Sequence, residues 1–365
     1  MSGEALCYNS AAMKSIPIVQ IGLGGVGREL ARQLLARREA LAEAYGFRLD
    51  YAALADSSGL RAPAGGLTPD ETLAAVAEKE AGGRLGGSAG GPAWRSLSLG
   101  RPCIVVDVTA ADGQEQGLAE RVAAGDRVVL ANKKPLSAGY AAFQALTTRG
   151  ATRYEATVGA GLPVISTLRG LLDSGDEVTR IEAAMSGTLG YLCAELEAGA
   201  PLSAAVRAAH ALGYTEPDPR DDLSGADVAR KALILTRTCG LPWEPAQIAA
   251  EPWFPPALAA VGRDEFMARL EELDAPFAAR VAEARAAGGA LRYVATITPA
   301  GASVGLRVLP ADHPLAGLRG PDNLFSFTTA RYAERPLVVR GPGAGLAVTA
   351  AGVLADIVAT AREML

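Results

Sequence analysis

Hydrophobic residues follow two different rhythms along the chain. Up to about residue 150, short runs of Val, Ile and Leu alternate with Ala-rich helical segments, which is typical of βαβ units around a parallel sheet. Beyond residue 177, most strand-like runs follow a helical block, an order that indicates an antiparallel sheet. These runs cover residues 178–185, 291–298, 303–309, 324–329 and 337–340. The pattern predicts an α/β chain with a doubly wound parallel sheet first, followed by an α+β domain with a mostly antiparallel sheet.

A glycine-rich turn stands between the first predicted strand, residues 16–21, and a helical segment that begins at about Arg28. The turn consists of Gly22, Leu23, Gly24, Gly25, Val26 and Gly27. Its G-x-G-x-x-G spacing is that of a dinucleotide-binding turn, in which the glycines allow a tight bend, close approach to a pyrophosphate and close helix packing. A purely structural turn is the alternative, because the chain has 42 glycines. The position between strand and helix favours a Rossmann domain that binds NAD(P).

The end of the second predicted strand, residues 49–55, leaves the coenzyme preference open. Asp56 follows this strand, and its carboxylate could bind the adenosine ribose hydroxyls and favour NAD. It could equally accept hydrogen bonds in an Asx turn that closes the strand. Arg61 could instead bind the 2′-phosphate of NADP. The sequence therefore predicts a nicotinamide dinucleotide without deciding between NAD and NADP.

An acidic loop precedes a helix that carries a lysine. The loop contains Gly213, Glu216, Asp218, Asp221 and Asp222. The helix is predicted to begin near Ser224, which places Asp227 and Lys231 one turn apart on the same face. An ordinary surface ion pair is one interpretation of that spacing. The other is a site for a zwitterionic or cationic small molecule, whose ammonium group would meet Glu216 or Asp222.

Composition excludes several classes of function. The chain has 35 Lys and Arg against 40 Asp and Glu, a net charge of −5, so it lacks the basic excess with which nucleic acids and anionic membranes are bound. No apolar run approaches the roughly 18 residues of a membrane span. The four cysteines form no CxxC pair, and we interpret them as reduced thiols of a cytoplasmic protein. Because there are only two histidines, a carboxylate or a lysine is the expected acid or base.

Several separated motifs resemble those of one enzyme family. They are residues 22–27, 107–109, 131–135, 154–165, 186–191, 216–231 and 341–352. On these motifs the chain, from about Ile16 to its end, resembles homoserine dehydrogenases of the monofunctional type. The resemblance implies reversible reduction of L-aspartate 4-semialdehyde to L-homoserine with NAD(P)H, in the biosynthesis of threonine, methionine and isoleucine. We expect neither a kinase domain nor a C-terminal regulatory domain.

The resemblance also implies roles for individual residues. Lys231 matches the catalytic lysine that exchanges a proton with the reacting oxygen, and Asp227 matches its acidic partner. Lys133 matches a lysine close to both nicotinamide and substrate, and Glu216 matches the residue that binds the substrate amino group. Thr109 and Gly345 match cofactor-contacting positions. A site for a monovalent cation, sodium, is implied at Glu155, Val158, Ala160 and Leu162, largely through main-chain carbonyl oxygens.

These observations lead to a division of the chain into four parts. We predict a loose extension over residues 1–12, a Rossmann domain over residues 13–154, a substrate-binding and dimerisation domain over residues 155–340, and a C-terminal helix over residues 341–365 that returns to the Rossmann domain. The expected assembly is a homodimer. The alternatives are another reductase of semialdehydes or imines on the same architecture, or a non-catalytic dinucleotide sensor. A sensor would need only the glycine turn, whereas this chain also carries Glu216, Asp227 and Lys231.

Overall fold

The first sheet has the predicted parallel, doubly wound character. The computed structural model describes residues 13–86, 92–320 and 322–365. The strands of the first sheet are β1 (Lys14–Ile21), β2 (Phe47–Asp56), β3 (Gly59–Arg61), β4 (Ile104–Asp107), β5 (Arg127–Leu130) and β6 (Thr152–Arg153). Their order is β3-β2-β1-β4-β5-β6, and all neighbours are parallel except β2 and β3. The carboxyl ends of β1, β2, β4 and β5 therefore meet at one edge of the sheet.

Helices cover both faces of this sheet. They are α1 (Gly25–Tyr45), α2 (Pro69–Glu80), α3 (Glu115–Ala123), α4 (Lys134–Ser137) and α5 (Tyr140–Thr147), together with a 3-10 helix over Pro92–Ser96 and another over Thr148–Gly150. The strand β1 is buried continuously from Ile16 to Ile21, as expected for a central parallel strand. The predicted extension over residues 1–12 lies outside the described residues, as does part of the glycine-rich stretch near residue 90.

The second sheet is mostly antiparallel, as the clustered strand-like runs predicted. It contains β7 (Val178–Ala184), β8 (Ala249–Ala250), β9 (Ala290–Thr298), β10 (Gly301–Leu309), β11 (Asp322–Thr329) and β12 (Leu337–Pro342) in the order β12-β11-β7-β9-β10-β8. Only β8, a two-residue strand at the edge, runs parallel to its neighbour β10. The predicted fold class, a parallel α/β sheet joined to an α+β layer, is confirmed.

The helices of the second half lie before, between and after these strands. They are α6 (Ala156–Gly159), α7 (Val164–Asp173), α8 (Gly187–Ala198), α9 (Leu202–Ala211), α10 (Arg220–Leu223), α11 (Ala226–Thr238), α12 (Pro256–Ala259), α13 (Arg263–Ala268), α14 (Asp274–Ala286) and α15 (Leu346–Glu363), with 3-10 helices over Pro245–Gln247 and Leu270–Leu273. The C-terminal α15 packs against α1, where a Cβ on Gly25 would lie 2.8 Å from the side chain of Leu346. In the described part of the chain, no helix is long and apolar enough to cross a bilayer.

Candidate active site

A cleft of about 1250 Å³ runs along the carboxyl ends of the parallel strands and reaches α11 and the start of α15. Five of the six residues of the glycine turn line this cleft, and Gly27 does not. The other predicted site residues in the lining are Asp56, Thr109, Lys133, Val158, Ala160, Lys231 and Gly345. The structure thus brings together most of the residues that the sequence pointed to. The lining does not include Asp227, Glu216, Asp222, Gly213, Glu155 or Leu162.

The glycine turn has the close contacts that its spacing requires. Gly22 adopts φ +105°, and its N–H donates to the carbonyl oxygen of Ala55 at 2.8 Å. A Cβ on Gly27 would lie 2.1 Å from the carbonyl oxygen of Gly22, so only glycine lets α1 approach the strand this closely. The side-chain amide of Gln20 donates to the carbonyl oxygens of Gly22 and Gly27, both at 2.9 Å, and so joins the two ends of the turn. The free N–H groups at the start of α1 consequently face the cleft, as in anion-binding helix N-termini.

Asp56 both closes a turn and faces the cleft. Its Oδ1 accepts hydrogen bonds from the N–H groups of Ser58 and Gly59, while Oδ2 lies 2.8 Å from Nζ of Lys79. Burial alone would raise the pKa of Asp56, but Lys79 and Ser58 hold it below its ordinary value. Arg61, the alternative phosphate ligand, pairs with Glu78 and lines a separate cavity. Lys79, which the sequence analysis missed, is the cation that stands beside Asp56 in the cleft.

Lys231 is buried at the inner end of the cleft. It lies on α11 and is 9% exposed, whereas the side chain of its ion-pair partner Asp227 is 42% exposed, so the pair is buried at the lysine end. Its Nζ lies 2.9 Å from Oδ2 of Asp227 and donates to the carbonyl oxygen of Met185 at 2.7 Å. Burial lowers the pKa of Lys231 below 10.5, and the positive charge of Lys133 adds to that shift while Asp227 opposes it. An amine held in this way can exchange a proton closer to neutral pH than a free lysine.

Asp227 bridges the two lysines of the cleft. Its Oδ1 lies 3.0 Å from Nζ of Lys133, and its Oδ2 contacts Lys231. Burial would raise the pKa of Asp227, yet the two ammonium groups lower it far below its ordinary value. Asp227 therefore stays ionised and sets the distance between the two cations. Lys133, which precedes α4, is thus held by an ion pair with the first turn of α11.

A buried polar network positions the loops that carry Thr109 and Lys133. Asp107 is fully buried and accepts hydrogen bonds from Thr109 and from the amide of Asn132 at 3.0 Å. Asn132 also donates to the carbonyl oxygen of Ala111 at 2.9 Å. Burial raises the pKa of Asp107 above its ordinary value. This network joins the ends of β4 and β5. It therefore fixes the loop after β5, which carries Lys133 into the cleft.

The acidic loop lies beside the start of α11. The N–H of Glu216 donates to Oδ2 of Asp222 at 2.8 Å, and the Glu216 side chain is exposed. Burial raises the pKa of Asp222, and the charges of Glu216 and Asp227 raise it further, which places three carboxylates in one electrostatic group. Asp218 is instead neutralised by Arg220. Gly213 lies earlier in this loop, is exposed, has φ +71° and donates its N–H to the carbonyl oxygen of His210 at 3.1 Å.

A second anchor of α11 was missed by the sequence analysis. Gly225 precedes the helix with φ +71°, and a Cβ there would lie 1.9 Å from the hydroxyl oxygen of Tyr293. Tyr293 itself donates to the carbonyl oxygen of Glu251 at 2.7 Å. The first turn of α11, with Asp227, is therefore packed against β9. The glycine was visible in the sequence, but its partner on a strand almost 70 positions away had no local signal.

The implied cation loop holds a buried carboxylate. Glu155 is 8% exposed, and its two oxygens accept N–H groups of Ile165 and Ser166 at 2.6 and 2.9 Å. Among the described residues, no Lys or Arg forms an ion pair with it. The carbonyl oxygen of Leu162 accepts the N–H of Val164, and Ala160 has φ 56°, an uncommon conformation for a residue other than glycine. A buried carboxylate without a cationic partner, on a loop that also carries these carbonyl groups, supplies the oxygen donor types suited to a hard cation.

Comparison with known proteins agrees with this geometry. The family model described as homoserine dehydrogenase matches residues 163–358, more than half of the chain. The chain belongs to the homoserine dehydrogenase family. A homoserine dehydrogenase of Emericella nidulans is 43% identical over 272 residues, which cover 70% of this chain and 74% of the relative. A hyperthermophilic archaeal homoserine dehydrogenase in complex with NADPH superposes with a TM-score of 0.75 at 26% identity, covering 96% of this chain and 98% of that one.

Other members of the homoserine dehydrogenase family are much longer. A bifunctional aspartokinase/homoserine dehydrogenase of Zea mays is 45% identical over 269 residues, which cover 72% of this chain. The match spans only 29% of the length of that maize protein.

Proposed function

We propose that this chain catalyses the reversible reduction of L-aspartate 4-semialdehyde to L-homoserine with a nicotinamide dinucleotide. The observation that carries the proposal is the buried ammonium group of Lys231, which lies with Asp227 and Lys133 at the inner end of a glycine-lined cleft. The reaction needs a proton donor beside a developing alkoxide and a turn that receives a pyrophosphate. Both are present in one cleft, and the chain belongs to a family named for this activity.

When bound, the nicotinamide ring supplies or accepts the hydride. Lys231 gives its proton to the oxygen of the aldehyde during reduction and takes a proton from the hydroxyl of homoserine during oxidation. Its contacts with Met185 and Asp227 keep Nζ at a fixed place, so little reorganisation is needed at the moment of transfer. Asp227 stabilises the protonated amine, and Lys133 adds positive charge where the alkoxide develops.

The substrate ammonium group is assigned to the acidic loop. Glu216, Asp222 and Asp227 form the electrostatic group described above. An α-amino group held by Glu216 and Asp222 would orient the aldehyde carbon toward Lys231. Gly213, with its left-handed backbone, ends α9 and begins the loop that carries Glu216.

Several finer properties follow from the same proposal. The oxygen donors of Glu155, Val158, Ala160 and Leu162 would hold a sodium ion that fixes the loop before α7. The second sheet would form the interface of a homodimer, and the enzyme would act in the cytoplasm. Burial raises the pKa of Cys103, Cys193 and Cys239 each to about 12, which disfavours the thiolate nucleophile of some related semialdehyde reductases.

The first prediction is the activity itself. The purified chain is expected to reduce NAD⁺ or NADP⁺ with L-homoserine, followed by the absorbance of the reduced nicotinamide. Homoserine should be oxidised faster than other hydroxy amino acids, and replacing sodium in the buffer by choline should lower the rate. Cofactor binding without turnover of any hydroxy or amino acid would favour a dinucleotide sensor, whereas preferential turnover of a different substrate would favour another reductase.

The second prediction concerns the coenzyme preference. Asp56→Asn keeps an oxygen that can accept the hydrogen bonds of the turn but removes the charge that neutralises Lys79. The variant should bind NAD less well because a ribose ligand is weakened, and NADP better because repulsion of the 2′-phosphate is removed. We expect a change of about tenfold in the ratio of kcat/KM for the two coenzymes. Equal effects on both would show that Asp56 serves only the turn.

A further inference from the structure

A chain of buried hydrogen bonds connects the second strand of the parallel sheet to the glycine turn. The hydroxyl group of Tyr51 on β2 donates to Oε1 of Gln20 on β1 at 2.7 Å. The amide nitrogen of Gln20 in turn donates to the carbonyl oxygens of Gly22 and Gly27. Tyr51 is 2% exposed and Gln20 is fully buried, so water does not compete for these groups. A side chain outside the lining of the cleft is thus connected to the turn that receives the cofactor.

The contacts of Gln20 fix the orientation of its side-chain amide. The two N–H groups of the amide face two carbonyl oxygens of the turn, and the amide oxygen accepts the hydroxyl of Tyr51. A flipped amide would place Oε1 against both carbonyl oxygens and lose both contacts with the turn. Burial raises the pKa of Tyr51 well above 10, so the hydroxyl keeps its proton and remains a donor. Tyr51 therefore favours the one orientation in which Gln20 joins the two ends of the turn.

A β-bulge in β2 gives Tyr51 its direction. Ile18 of β1 is paired with Tyr51, whereas the next residue, Val19, is paired with Ala53, so Ala52 is the extra residue of the bulge. In a regular strand, residues two apart point to the same face. Here Tyr51 belongs to the hydrophobic cluster beside α1, and Ala53 belongs to the cluster on the other face of the sheet. The bulge therefore directs the hydroxyl of Tyr51 to the side of the sheet on which α1 and the glycine turn lie.

We propose that Tyr51 is a positioning residue for the pyrophosphate of the cofactor, which acts through Gln20 on the glycine turn; this inference rests on the proposed function. The turn receives the pyrophosphate through main-chain N–H groups, so a small displacement of its main chain changes several hydrogen bonds at once. Without the hydroxyl, Oε1 of Gln20 is buried without a donor, which favours rotation of the amide away from the two carbonyl oxygens. The loss is one of cofactor affinity, because the ion pairs of Lys133 and Lys231 do not involve Gln20.

Tyr51→Phe removes the hydroxyl group and keeps the aromatic ring in the core. The dissociation constants of NADH and NADPH, measured from nicotinamide fluorescence, should both rise about fivefold, the effect of one net hydrogen bond. The KM of the cofactor should rise by a similar factor, whereas kcat at saturating cofactor should stay close to that of the wild type. Tyr45→Phe is the matched control, because Tyr45 ends the helix that follows the turn and is 41% exposed. This control variant should bind both cofactors like the wild type.

A double-mutant cycle with Gln20→Met determines whether Tyr51 acts through Gln20. Methionine has a similar shape but cannot donate to the two carbonyl oxygens, so Gln20→Met should weaken both cofactors at least as much as Tyr51→Phe. In the Gln20→Met background, Tyr51→Phe should cause no further change in the dissociation constants. It should nevertheless raise the resistance to denaturant, because the buried hydroxyl of Tyr51 has lost its acceptor there. A purely structural role would instead change affinity and stability together.

Each outcome of the cycle supports or overturns the proposal. Unchanged dissociation constants in Tyr51→Phe would overturn it, and so would an equal loss of affinity from Tyr51→Phe with and without Gln20. A fall in kcat together with affinity would limit Tyr51 to a structural role in the sheet. A wild type that binds neither cofactor would overturn both the proposed function and the role of Tyr51. If the wild type binds a cofactor but does not oxidise homoserine, only the proposed substrate fails, and the dissociation constants still decide the role of Tyr51.

Discussion

Replacing Lys231 by alanine is expected to lower kcat for homoserine oxidation by about a thousandfold, the usual contribution of a positioned acid or base. The amine is buried and fixed by Asp227 and Met185, so water cannot easily take its place. The dissociation constant of the cofactor should change little, because the glycine turn that receives the pyrophosphate is untouched. Steady-state kinetics and cofactor titration of the same preparation provide the measurement.

Lys134→Ala is the matched control for Lys231→Ala. Lys134 follows Lys133 but pairs with Asp112 at 2.7 Å and does not line the cleft. Its removal should leave kcat close to that of the wild type. Equal rates for Lys231→Ala and the wild type would exclude Lys231 from the mechanism, whereas equal losses in the two variants would mean that positive charge alone is needed.

The pH profile gives an independent measure of the same group. Oxidation of homoserine needs the neutral amine, so its rate should rise with pH until the pKa of Lys231 is passed. Reduction of the semialdehyde needs the ammonium form and should lose rate over the same range. Because burial lowers this pKa, both transitions should occur below pH 10.5 in the wild type and be absent from Lys231→Ala.

The sequence was sufficient to predict the helix of Lys231 but not the contacts of that helix. The spacing of Asp227 and Lys231 predicted one face of a helix, and α11 is found at Ala226–Thr238. The same spacing could not reveal that Lys231 is buried and donates to the carbonyl oxygen of Met185, which directly follows β7 and lies 46 positions earlier in the chain. A main-chain oxygen leaves no residue-type signal in a sequence.

The ligands predicted for the adenosine part of the cofactor were also limited by contacts that the sequence does not show, in this case ion pairs between side chains. Arg61 was a reasonable phosphate ligand from its distance to Asp56, yet it is engaged by Glu78 on α2. Lys79 occupies the place beside Asp56, although it is 23 positions further along the chain. Arg95 follows a glycine-rich stretch without periodicity, so nothing local indicated that it would line the cleft. The glycine turn was predictable because its function depends on backbone geometry that glycine itself encodes.

Arg237 at the C-terminal end of α11 is expected to have the largest effect on stability. Its side chain is fully buried, and it donates to the carbonyl oxygens of Trp243 at 2.9 Å and Leu136 at 2.7 Å. Leu136 lies on α4, which begins directly after Lys133. Arg237 therefore joins the helix of Lys231 to the helix beside Lys133, and its loss should disturb the geometry of both lysines.

Arg237→Met is predicted to lower the free energy of unfolding by about 3 kcal/mol, because the buried carbonyl group of Leu136 and the half-buried one of Trp243 lose their donor. The variant that remains folded should also show a lower kcat. The ion pair between Lys133 and Asp227 depends on the contact between α4 and α11, which Arg237 makes. Denaturant titration with parallel kinetics measures both effects, and Arg230→Met, an exposed arginine on the same helix, is the control. A stability equal to that of Arg230→Met would show that the two carbonyls are satisfied without Arg237. Lower stability with unchanged kcat would limit Arg237 to a structural role and leave the alignment of the lysines to the Asp107 network.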